Sequence, residues 1–543
     1  MCSKFKDLLI FLSLLFQLNV FAKDYYVHPT LGNDSYSGES KTKPFKTLGR
    51  MAEITLQPGD RVLLASNQVY LGSLLLKNQH GLPSNPVVIT TVLWNENETL
   101  IPARIDFKGF ANGVLIEDSS FVQASNIHVT ANGFNIPDTN ITMRCGILIT
   151  TKDFKKTENI TVKNITVTDV FYENKGFVRG KEEIKTANGT QQYGWGIRVI
   201  NNREDASIEN IKIENCHVEN VSHTGIKLTG KNKNIFNVTI IGNRVEKTGG
   251  PGIQMSGVKS VYVAHNHVSH SGSNNDSRKW GRGSGLWTWG ASHVLIEKNK
   301  FLYANGPADS AGAHIDYNCD NIVLQYNISA YNAGGFCEIL GNNYNCAYRY
   351  NISINDGYRV KGVNGAFQEG KILWLSGYQG QKKRKGPVNT YIYNNTIYAD
   401  SSYTPKIAID NTSKGILIAN NIFCLKGKAK TVLGDQYKPD VKNNKKAQTV
   451  FFENNLFLSE ENWPTDSGIQ DTVPIFGNPM FSNAGGLEAK DYTPENLSLT
   501  QSRGINIPLL TNDSEGLLNS LKMNEDILGN PIPKNPSLGA IQP

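Results

Sequence analysis

The sequence lacks the features that mark several common classes of protein. Only 19% of its residues are charged, and the net charge is +7. Its densest basic cluster spans residues 382–385 between two glycines, which is typical of a solvated loop tip. Beyond the first 22 residues, no apolar run is long enough to cross a membrane. We therefore expect no nucleic-acid partner and no integral membrane segment in the mature chain.

Cysteine is also too sparse and too irregularly spaced to define a metal site or a disulfide framework. The seven cysteines include no CxxC pair, and spacing of this kind is typical of small buried residues. An oxidising compartment would still permit pairing among Cys319, Cys337 and Cys346. The sequence therefore predicts no metal ligands of its own.

The N-terminus has the pattern of a secretory signal. Lys4 and Lys6 precede an apolar run over residues 8–20, and Ala22 offers a small residue at the end of the segment. We predict that residues 1–22 are a signal peptide. The protein is then expected to be exported to the periplasm, the cell surface or the extracellular space.

What the sequence has in abundance is glycine, with 50 residues, and a repeated short strand that commonly ends in asparagine. In ten segments, the residues five and three positions before a reference position are mostly apolar, as expected for the inward face of a strand. Eight of the ten reference residues are asparagine, and successive references are 23 to 51 residues apart. The reference residues are Ile165, Cys216, Asn243, Asn266, Asn299, Asn327, Asn351, Asn395, Asn421 and Asn455.

This pattern predicts an all-β, single-domain solenoid of the parallel β-helix type. The shortest repeat fits one coil with loop insertions, whereas a propeller blade needs about 40–45 residues. Stacked asparagine side chains can bond to their equivalents in the coils above and below, which satisfies buried polar groups. A β-sandwich would require no such register. The first coil has an unpaired edge and an open apolar core, so a cap is expected there.

Each coil has a second strand, opened by glycine, whose second and fourth residues after the glycine should point outward. The second position holds Arg198, Lys227, Gln254, Trp287 and His314, and the fourth holds Thr229, Ser256, Trp289 and Asp316. In the next coil, counting from Gly334 places Phe336 and Glu338 outward. Counting from Gly335 would bury the charge of Glu338 in the core, which is very costly. We therefore predict that Asp316 and Glu338 are outward neighbours on adjacent coils, roughly 4.8 Å apart at the backbone.

Two carboxyl groups that close cannot both ionise freely, so one of them should have a raised pKa. Such a pair can act as a nucleophile or base beside a general acid, as in glycoside hydrolysis. We predict that Asp316 and Glu338 are catalytic and that His314 positions a hydroxyl or tunes a carboxylate. Asp309 and Glu369 lie in adjacent loops, and either could replace one member of the pair.

Aromatic side chains nearby suggest a sugar-binding surface. Trp287, Trp289 and Tyr317 would offer flat apolar faces on which a sugar ring can stack. The insertion over residues 269–283, which contains Asp276, Arg278 and Trp280, is expected to wall the cleft. Substrate binding is therefore assigned to Trp287, Trp289, Tyr317, Asp309 and Glu369.

Structural roles are an alternative for each of these residues taken alone. Asp316 could cap a turn, Glu338 could pair with Arg349, and His314 could be a structural hydrogen-bonding residue. The two tryptophans could pack under the insertion. Arg198 and Lys227, further along the same face, are expected to be solvated or paired with carboxylates. The coincidence of acids, aromatics and histidine on one group of coils favours the functional interpretation.

Several segments resemble a recurring motif of bacterial β-helix proteins. They are the segments at residues 319–329, 332–336, 349–357, 393–398 and 420–423. The chain is similar to the carbohydrate-active right-handed parallel β-helix superfamily, which includes glycosidases, pectin-type lyases and epimerases. In the β-helix xylosidases and their relatives, an Asp and a Glu one coil apart act as nucleophile and acid/base, and Asp316 and Glu338 match that arrangement by their position in the repeat.

The resemblance extends to both ends and implies two caps. We expect a helix-containing N-terminal cap with the first coils over residues 23–90, regular coils over residues 91–460, and further coils with an irregular cap over residues 461–543. The implied function is a secreted glycoside hydrolase that acts on a plant or microbial polysaccharide or oligosaccharide without a cofactor. One alternative is a polysaccharide lyase, which would use Ca²⁺ or basic residues such as Arg198 and Lys227. Another is a non-catalytic glycan-binding surface protein.

Overall fold

A computed structural model describes residues 22–134, 143–186, 189–432, 449–464 and 470–543. Its strands, numbered along the chain, form three long sheets of 12, 14 and 14 strands, and neighbouring strands run parallel. The predicted signal peptide lies outside the described residues except for Ala22. Among the described residues, no helix is long and apolar enough to span a membrane.

Sheet 1 has 12 strands and carries the outward positions that the sequence singled out. Its strands are β4 (Leu74–Lys77), β7 (Asn112–Glu117), β10 (Arg144–Thr150), β13 (Gly194–Ile200), β16 (Ile226–Thr229), β19 (Ile253–Ser256), β22 (Leu286–Trp289), β25 (Ala313–Ile315), β28 (Gly335–Ile339), β31 (Lys371–Leu375), β34 (Lys406–Ile409) and β37 (Lys430–Thr431).

Sheet 2 has 14 strands and includes the apolar strand that precedes each asparagine. Its strands are β1 (Asp24–Val27), β2 (Arg61–Ala65), β5 (Val87–Val92), β8 (Ser120–Ser125), β11 (Lys156–Lys163), β14 (Ser207–Glu214), β17 (Ile235–Ile241), β20 (Val258–Ala264), β23 (Ser292–Glu297), β26 (Asp320–Gln325), β29 (Ala347–Arg349), β32 (Thr390–Tyr393), β35 (Ile416–Ala419) and β38 (Val450–Glu453).

Sheet 3 also has 14 strands and follows each asparagine turn. Its strands are β3 (Val69–Leu71), β6 (Ala103–Asp106), β9 (Ile127–Asn132), β12 (Thr166–Phe171), β15 (His217–Val221), β18 (Arg244–Glu246), β21 (His267–Ser269), β24 (Lys300–Leu302), β27 (Ile328–Ala330), β30 (Ile352–Ile354), β33 (Thr396–Ala399), β36 (Ile422–Leu425), β39 (Leu456–Phe457) and β40 (Ile475–Phe476).

The order of the sheets along the chain defines the coil. Strands β25, β26 and β27 belong to sheets 1, 2 and 3 in turn, and β28 returns to sheet 1 beside β25. The same cycle repeats along the solenoid, with crossovers of the right-handed sense that parallel strands favour. The all-β right-handed parallel β-helix expected from the sequence is therefore confirmed.

The apolar positions of the repeat form the core. On sheet 2, Val238 pairs with Val261, Val261 with Val294, and Val294 with Ile322. These side chains are no more than 3% exposed and belong to one continuous apolar cluster that runs through the coils. A column of this kind forms because inward positions recur every second residue of each strand.

The asparagine column is a continuous hydrogen-bonded ladder, as the repeat predicts. The Nδ2 of Asn299 donates to Asn327 Oδ1 at 3.0 Å, and the Nδ2 of Asn266 donates to Asn299 Oδ1 at 2.9 Å. The same link joins each successive pair from Asn243 to Asn455. Each side chain also bonds to backbone atoms, such as Val263 O for Asn299. The ladder thus satisfies buried polar groups at every turn.

Short helices and 3₁₀ turns lie near both ends of the solenoid. Near the N-terminus, the short helix α1 (Leu48–Met51) buries Leu48 and Met51 against the first coils. Near the C-terminus lie the short helix α2 (Leu497–Thr500) and 3₁₀ turns at Glu460–Asn462 and Ala489–Tyr492, while another 3₁₀ turn, Lys181–Lys185, lies in a loop. The C-terminal segment also folds back along the solenoid, where Leu510 and Leu517 pack on Tyr391 and Tyr393 of sheet 2.

The six cysteines among the described residues are free and buried. Cys216, Cys319, Cys337 and Cys346 are part of the core cluster. The interpretation as small packing residues therefore holds, and Cys319, Cys337 and Cys346 are not paired with one another.

Replacing one rung of the asparagine ladder should destabilise the whole solenoid. Asn299 is 1% exposed, so the change Asn299→Ala leaves buried partners in two neighbouring coils without a hydrogen bond. We expect the free energy of unfolding to fall by about 3 kcal/mol, measured by urea denaturation. The exposed Asn202 provides a control, because Asn202→Ala should change it by less than about 0.5 kcal/mol. Equal effects of the two changes would contradict a structural role for the ladder.

Candidate active site

The outward face of sheet 1 brings the residues singled out by the sequence into one column. Strand pairing sets Arg198 beside Lys227, Lys227 beside Gln254, Gln254 beside Trp287, and Trp287 beside His314. This is the register that the glycine-opened strands predict. Adjacent members are therefore one coil, roughly 4.8 Å, apart at the backbone.

Glu338 lies beside His314 and not beside Asp316, which corrects the predicted register. Ile315 pairs with Ile339, an offset of 24 residues, whereas counting from Gly334 assumed the offset of 22 between Gly312 and Gly334. Ile339 pairs with the inward Ile315 and belongs to the core, so Glu338, one residue before it, points away from the core. Asp316 and Glu338 are diagonal neighbours on adjacent coils.

Phe336 was predicted to face outward, and this is wrong. Its ring packs in the core against Tyr348, with ring centroids 5.6 Å apart. The backbone at Gly335 has a φ of 145°, and a Cβ there would lie 1.8 Å from the carbonyl oxygen of Lys371. Only glycine fits this close approach, and the distortion breaks the alternation on which the prediction depended.

Asp316 follows the end of β25 and is only partly exposed. The indole Nε1 of Trp287 donates a hydrogen bond to its Oδ2 at 2.8 Å. Burial, followed by the negative charge of Asp309, raises the pKa of Asp316 to about 7, although the Trp287 hydrogen bond and Arg282 oppose the change. Near neutral pH this carboxyl can therefore hold or release a proton.

Asp309 has the opposite electrostatic environment. The Nε of Arg282 donates to its Oδ2 at 2.6 Å, and another guanidinium nitrogen lies 3.3 Å from its Oδ1. Burial opposes ionisation, but Arg282 outweighs it and lowers the pKa of Asp309. Asp309 and Ser310 also have left-handed φ values of 46° and 66°, as do many residues at the turns of this solenoid. Asp309 is thus held as a carboxylate.

Glu338 is 8% exposed. Burial and the negative charges of Asp309 and Asp316 raise its pKa well above the ordinary value, against the attraction of Lys371 and Arg359. The three carboxyl groups of Asp309, Asp316 and Glu338 therefore form one electrostatically coupled cluster. In it, Asp309 has the lowered pKa and the other two have raised values.

His314 lies between Trp287 and Glu338 in the column and is 2% exposed. Its Nδ1 is 3.0 Å from the hydroxyl of Ser284, and its ring is 5.5 Å from that of Trp287. Burial lowers its pKa to about 4, despite the opposing charge of Asp309. His314 is therefore a neutral hydrogen-bonding group beside the acids.

The predicted aromatic surface is present next to this cluster. The ring centroids of Trp287 and Trp289 are 6.4 Å apart, and those of Trp289 and Tyr317 are 5.1 Å apart. Trp289 is 42% exposed, so it is not packed under the insertion. The Nζ of Lys382 donates to the hydroxyl of Tyr317 at 3.0 Å. Trp289 and Tyr317 thus offer open ring faces of the kind on which sugars stack, whereas Trp287 is buried at 6% exposure.

Glu369 is not brought into the cluster. Its carboxylate pairs with Lys406 at 2.9 Å and accepts a hydrogen bond from the backbone of Lys361 at 3.1 Å. The alternative pairing of Glu338 with Arg349 is also absent, because Arg349 bonds instead to Gln325 and Tyr393. Glu369 thus holds a neighbouring loop together.

The insertion over residues 269–283 contributes Arg282 to the site, a residue that the sequence did not single out. Asp276 pairs with Arg278, whose guanidinium lies over Phe171, and Trp280 stacks on His223. These three residues anchor the insertion to the preceding coils. Arg282 alone reaches the carboxyl cluster. The signal in the sequence that could have identified Arg282 is its position between two glycines, within an insertion already expected to wall the cleft.

Lys371 and Arg359 are further basic residues that sequence reasoning missed. Both are buried, and both favour the ionised form of Glu338. The backbone carbonyl of Asp309 accepts a hydrogen bond from Arg359 at 3.0 Å, so this residue also holds the Asp309 loop. Lys371 follows Gly370 as the first residue of β31, whereas the repeat singled out the second and fourth positions after the glycine, and Arg359 lies outside the strands.

Metal-ligating side chains come together elsewhere. In the described part of the chain, the group with ligand atoms close enough for one ion is His217, Glu219 and Glu246 on sheet 3. Both glutamates are already paired, with Lys247 and Arg244 respectively. The carboxyl cluster on sheet 1 instead has the chemistry of proton transfer, because its members differ in pKa.

Comparison with known proteins supports the fold. A family model for a right-handed β-helix region matches residues 195–368. A lacto-N-biosidase of Bifidobacterium longum subsp. longum is 23% identical and aligns with 95% of the chain, which spans only 36% of that relative's length.

Two solved structures are similar at low sequence identity. The lacto-N-biosidase of family GH136 from Eubacterium ramulus has a TM-score of 0.53 and 19% identity, over 73% of this chain and 66% of that one. The complex of XylC with xylose has a TM-score of 0.53 and 12% identity, over 96% and 98% of the two chains. At such identities the likeness establishes the parallel β-helix alone.

The raised pKa of Asp316 should make stability fall as pH rises. Between about 4, the ordinary value for Asp, and about 7, the folded protein holds a proton that the unfolded chain has released, so rising pH favours unfolding. The side-chain amide introduced by Asp316→Asn cannot ionise. We expect the urea midpoint of the variant minus that of the unsubstituted protein to increase from pH 4 to 7. Above pH 7 this difference should level off. A difference that is constant over this range would contradict the raised pKa.

Proposed function

We propose that the protein is an exported glycoside hydrolase that cleaves an oligosaccharide or polysaccharide by means of paired carboxyl groups and without a cofactor. The observation that carries the proposal is a pair of carboxyl groups in unequal surroundings beside the exposed ring of Trp289: Asp309 is bound by Arg282 and has a lowered pKa, whereas the pKa of Asp316 is raised to about 7. The similarity of almost the whole chain to a lacto-N-biosidase supports the reaction class. Export is proposed from the composition of residues 1–22.

Asp316 is suited to the role of general acid. Its pKa of about 7 keeps a proton available near neutral pH, where general acids work best. Trp287 donates to Oδ2, so the acidic proton would be carried by Oδ1 and pass from there to the glycosidic oxygen of a bound sugar. Protonation of that oxygen lets the bond to the leaving sugar break, and the developing positive charge on the cleaved sugar is stabilised by a nearby carboxylate.

Asp309 is the better partner for Asp316. A glycosidase needs one ionised carboxylate, either as nucleophile or as the base that activates water. Arg282 lowers the pKa of Asp309, whereas burial and neighbouring charge raise that of Glu338. We therefore assign the ionised role to Asp309, in place of the Asp316–Glu338 pair that the repeat pattern suggested.

Glu338 and His314 then act as binding and tuning groups. A protonated Glu338 can donate a hydrogen bond to a sugar hydroxyl, and a neutral His314 can orient another. The exposed ring of Trp289, with Tyr317 beside it, provides stacking for an adjacent sugar ring. These contacts would hold the glycosidic bond beside Asp316.

A polysaccharide lyase is the second candidate. The observation in its favour is the pair of buried cations, Arg198 and Lys227, which lie on the same face of sheet 1 and have no carboxylate partner among the described residues. A lyase would use such residues to bind a uronate and remove a proton. Its product would carry a double bond that absorbs in the ultraviolet, whereas hydrolysis forms a new reducing end.

One assay separates these functions from a glycan-binding module. The protein is incubated with a panel of neutral and acidic oligosaccharides, including lacto-N- and xylo-oligosaccharides, and both reducing ends and unsaturated uronate are followed. We expect reducing ends without the ultraviolet chromophore. The chromophore would favour the lyase, and binding without either product would favour the module.

On the substrate found, the roles of the acids predict a specific pattern of losses. Asp316→Asn and Asp309→Asn should each lower kcat/KM by about 10³-fold. For an aryl glycoside whose leaving group is an acidic phenol, Asp316→Asn should lower kcat/KM much less, because such a leaving group needs no proton. Glu338→Gln should mainly raise KM and change kcat little. If Glu338→Gln instead abolishes turnover and Asp309→Asn is active, the original pairing of Asp316 with Glu338 is correct.

The hydrogen bond from Trp287 makes a further prediction about pH dependence. It stabilises the ionised form of Asp316, so Trp287→Phe should raise the pKa of that carboxyl. The alkaline limb of kcat/KM, where the general acid loses its proton, should move to higher pH. Trp289→Phe is the control, because its indole does not bond to Asp316, and the limb should stay in place even if KM rises. An unshifted limb in Trp287→Phe would exclude Asp316 as the group observed.

A further inference from the structure

A groove of about 670 Å³ continues from the aromatic surface along sheet 1. Its floor includes the outward column of Arg198, Lys227, Gln254 and Trp287, and Trp289 stands at its edge. The groove and the carboxyl cluster thus share Trp287, whose other partner is Asp316. A ligand long enough to cover several coils would contact both.

Arg198 and Lys227 are buried cations without an acidic partner among the described residues. Their exposed fractions are 4% and 5%, and they lie side by side on adjacent strands. Arg198 contacts the sulfur of Met143 at 3.1 Å and Gln191 at 3.5 Å, while its Nε has no hydrogen-bond partner. The ammonium of Lys227 lies 4.7 Å from the ring centre of Trp195. The expected solvation or pairing with carboxylates is therefore not found.

Two adjacent buried positive charges are unfavourable unless a negative charge joins them. Burial and the charge of Arg198 lower the pKa of Lys227 to about 7, and burial lowers the pKa of Arg198. The lysines at the rim of the groove do not share this property, because Lys231 pairs with Glu204 and Lys233 with Asp320. Of the described cations that line the groove, Arg198 and Lys227 are therefore the two without a carboxylate partner.

Other polar atoms on this floor also have no partner. Gln254 Oε1 and Thr229 Oγ1 are buried without a hydrogen bond, and both residues line the groove. Buried polar atoms usually have partners. A ligand with hydroxyl groups and one anionic group would satisfy all of these atoms together, and an apolar ligand would satisfy none.

We infer that Arg198 and Lys227 bind the carboxylate or sulfate of an acidic sugar unit within the substrate. This inference rests on the proposed glycosidase function, because it treats the groove as part of the same substrate-binding surface. Lys227 is three coils from His314 in the column, or roughly 14 Å at the spacing of parallel strands. A pyranose ring is similar in length to one coil, so the acidic unit lies about three sugar units from the rung of Asp316.

The test measures binding in the absence of turnover. The Asp316→Asn variant is applied to a glycan array that carries neutral oligosaccharides beside their uronate-, sialate- and sulfate-bearing counterparts. We expect at least about tenfold tighter binding of one acidic class over its neutral counterpart. The class that binds identifies the anion as carboxylate or sulfate. Equal binding of acidic and neutral forms would overturn the inference.

Further substitutions in the Asp316→Asn variant test whether Arg198 and Lys227 cause the preference for acidic glycans. Lys227→Met and Arg198→Met should each abolish the preference for the acidic glycan, while Lys227→Arg should retain most of it. Lys259→Met is the matched control, because Lys259 is exposed on sheet 2, and it should leave the preference unchanged. A preference that persists in Lys227→Met and Arg198→Met would refute the assignment.

Stability and product analysis separate the remaining explanations. Lys227→Met removes an unpaired buried cation, so its Tm should rise rather than fall, and lost binding cannot then be ascribed to misfolding. If the preference is found but no reducing ends appear with any substrate, the proposed hydrolysis fails while the anion site stands. Formation of unsaturated uronate that depends on Lys227 would make these residues a lyase centre and overturn the inference.

Discussion

In-register pairing of parallel strands is the constraint on which the rest of the structure depends. It brings residues about two dozen positions apart in the chain to within one strand spacing of each other, as with Ile315 and Ile339. The asparagine ladder holds that register at each turn from Asn243 to Asn455. Each coil of a solenoid contacts only its neighbouring coils. The pairing of adjacent strands therefore decides which functional residues lie side by side.

On this scaffold, the site obtains its chemistry from unequal environments of similar groups. Asp309, Asp316 and Glu338 are all carboxylic acids, yet Arg282 lowers the pKa of the first while burial and mutual repulsion raise those of the other two. Separated pKa values are what paired acid–base catalysis requires. The arginine comes from an insertion, so an irregular loop makes the pKa values of the three acids differ.

The same face also combines two kinds of recognition. Trp287 contacts Asp316 at one end and borders the cationic groove at the other. Aromatic stacking is tolerant of sugar identity, whereas a buried pair of cations discriminates by charge. The unfavourable burial of Arg198 and Lys227 is a cost to stability that a selective binding site would explain.

The sequence by itself determined the solenoid, its inward columns and the outward placement of His314, Asp316 and Glu338, because side-chain alternation and an asparagine repeat are local patterns. It could not determine that Glu338 lies beside His314, since two glycines offered several registers and a distorted backbone at Gly335 selected another. Nor could it reveal that Arg282 lies beside Asp309, or that Lys227 has no carboxylate partner among the described residues. Those depend on how insertions from distant coils fold over the sheet, and only the tertiary structure decides which charges meet and which remain buried alone.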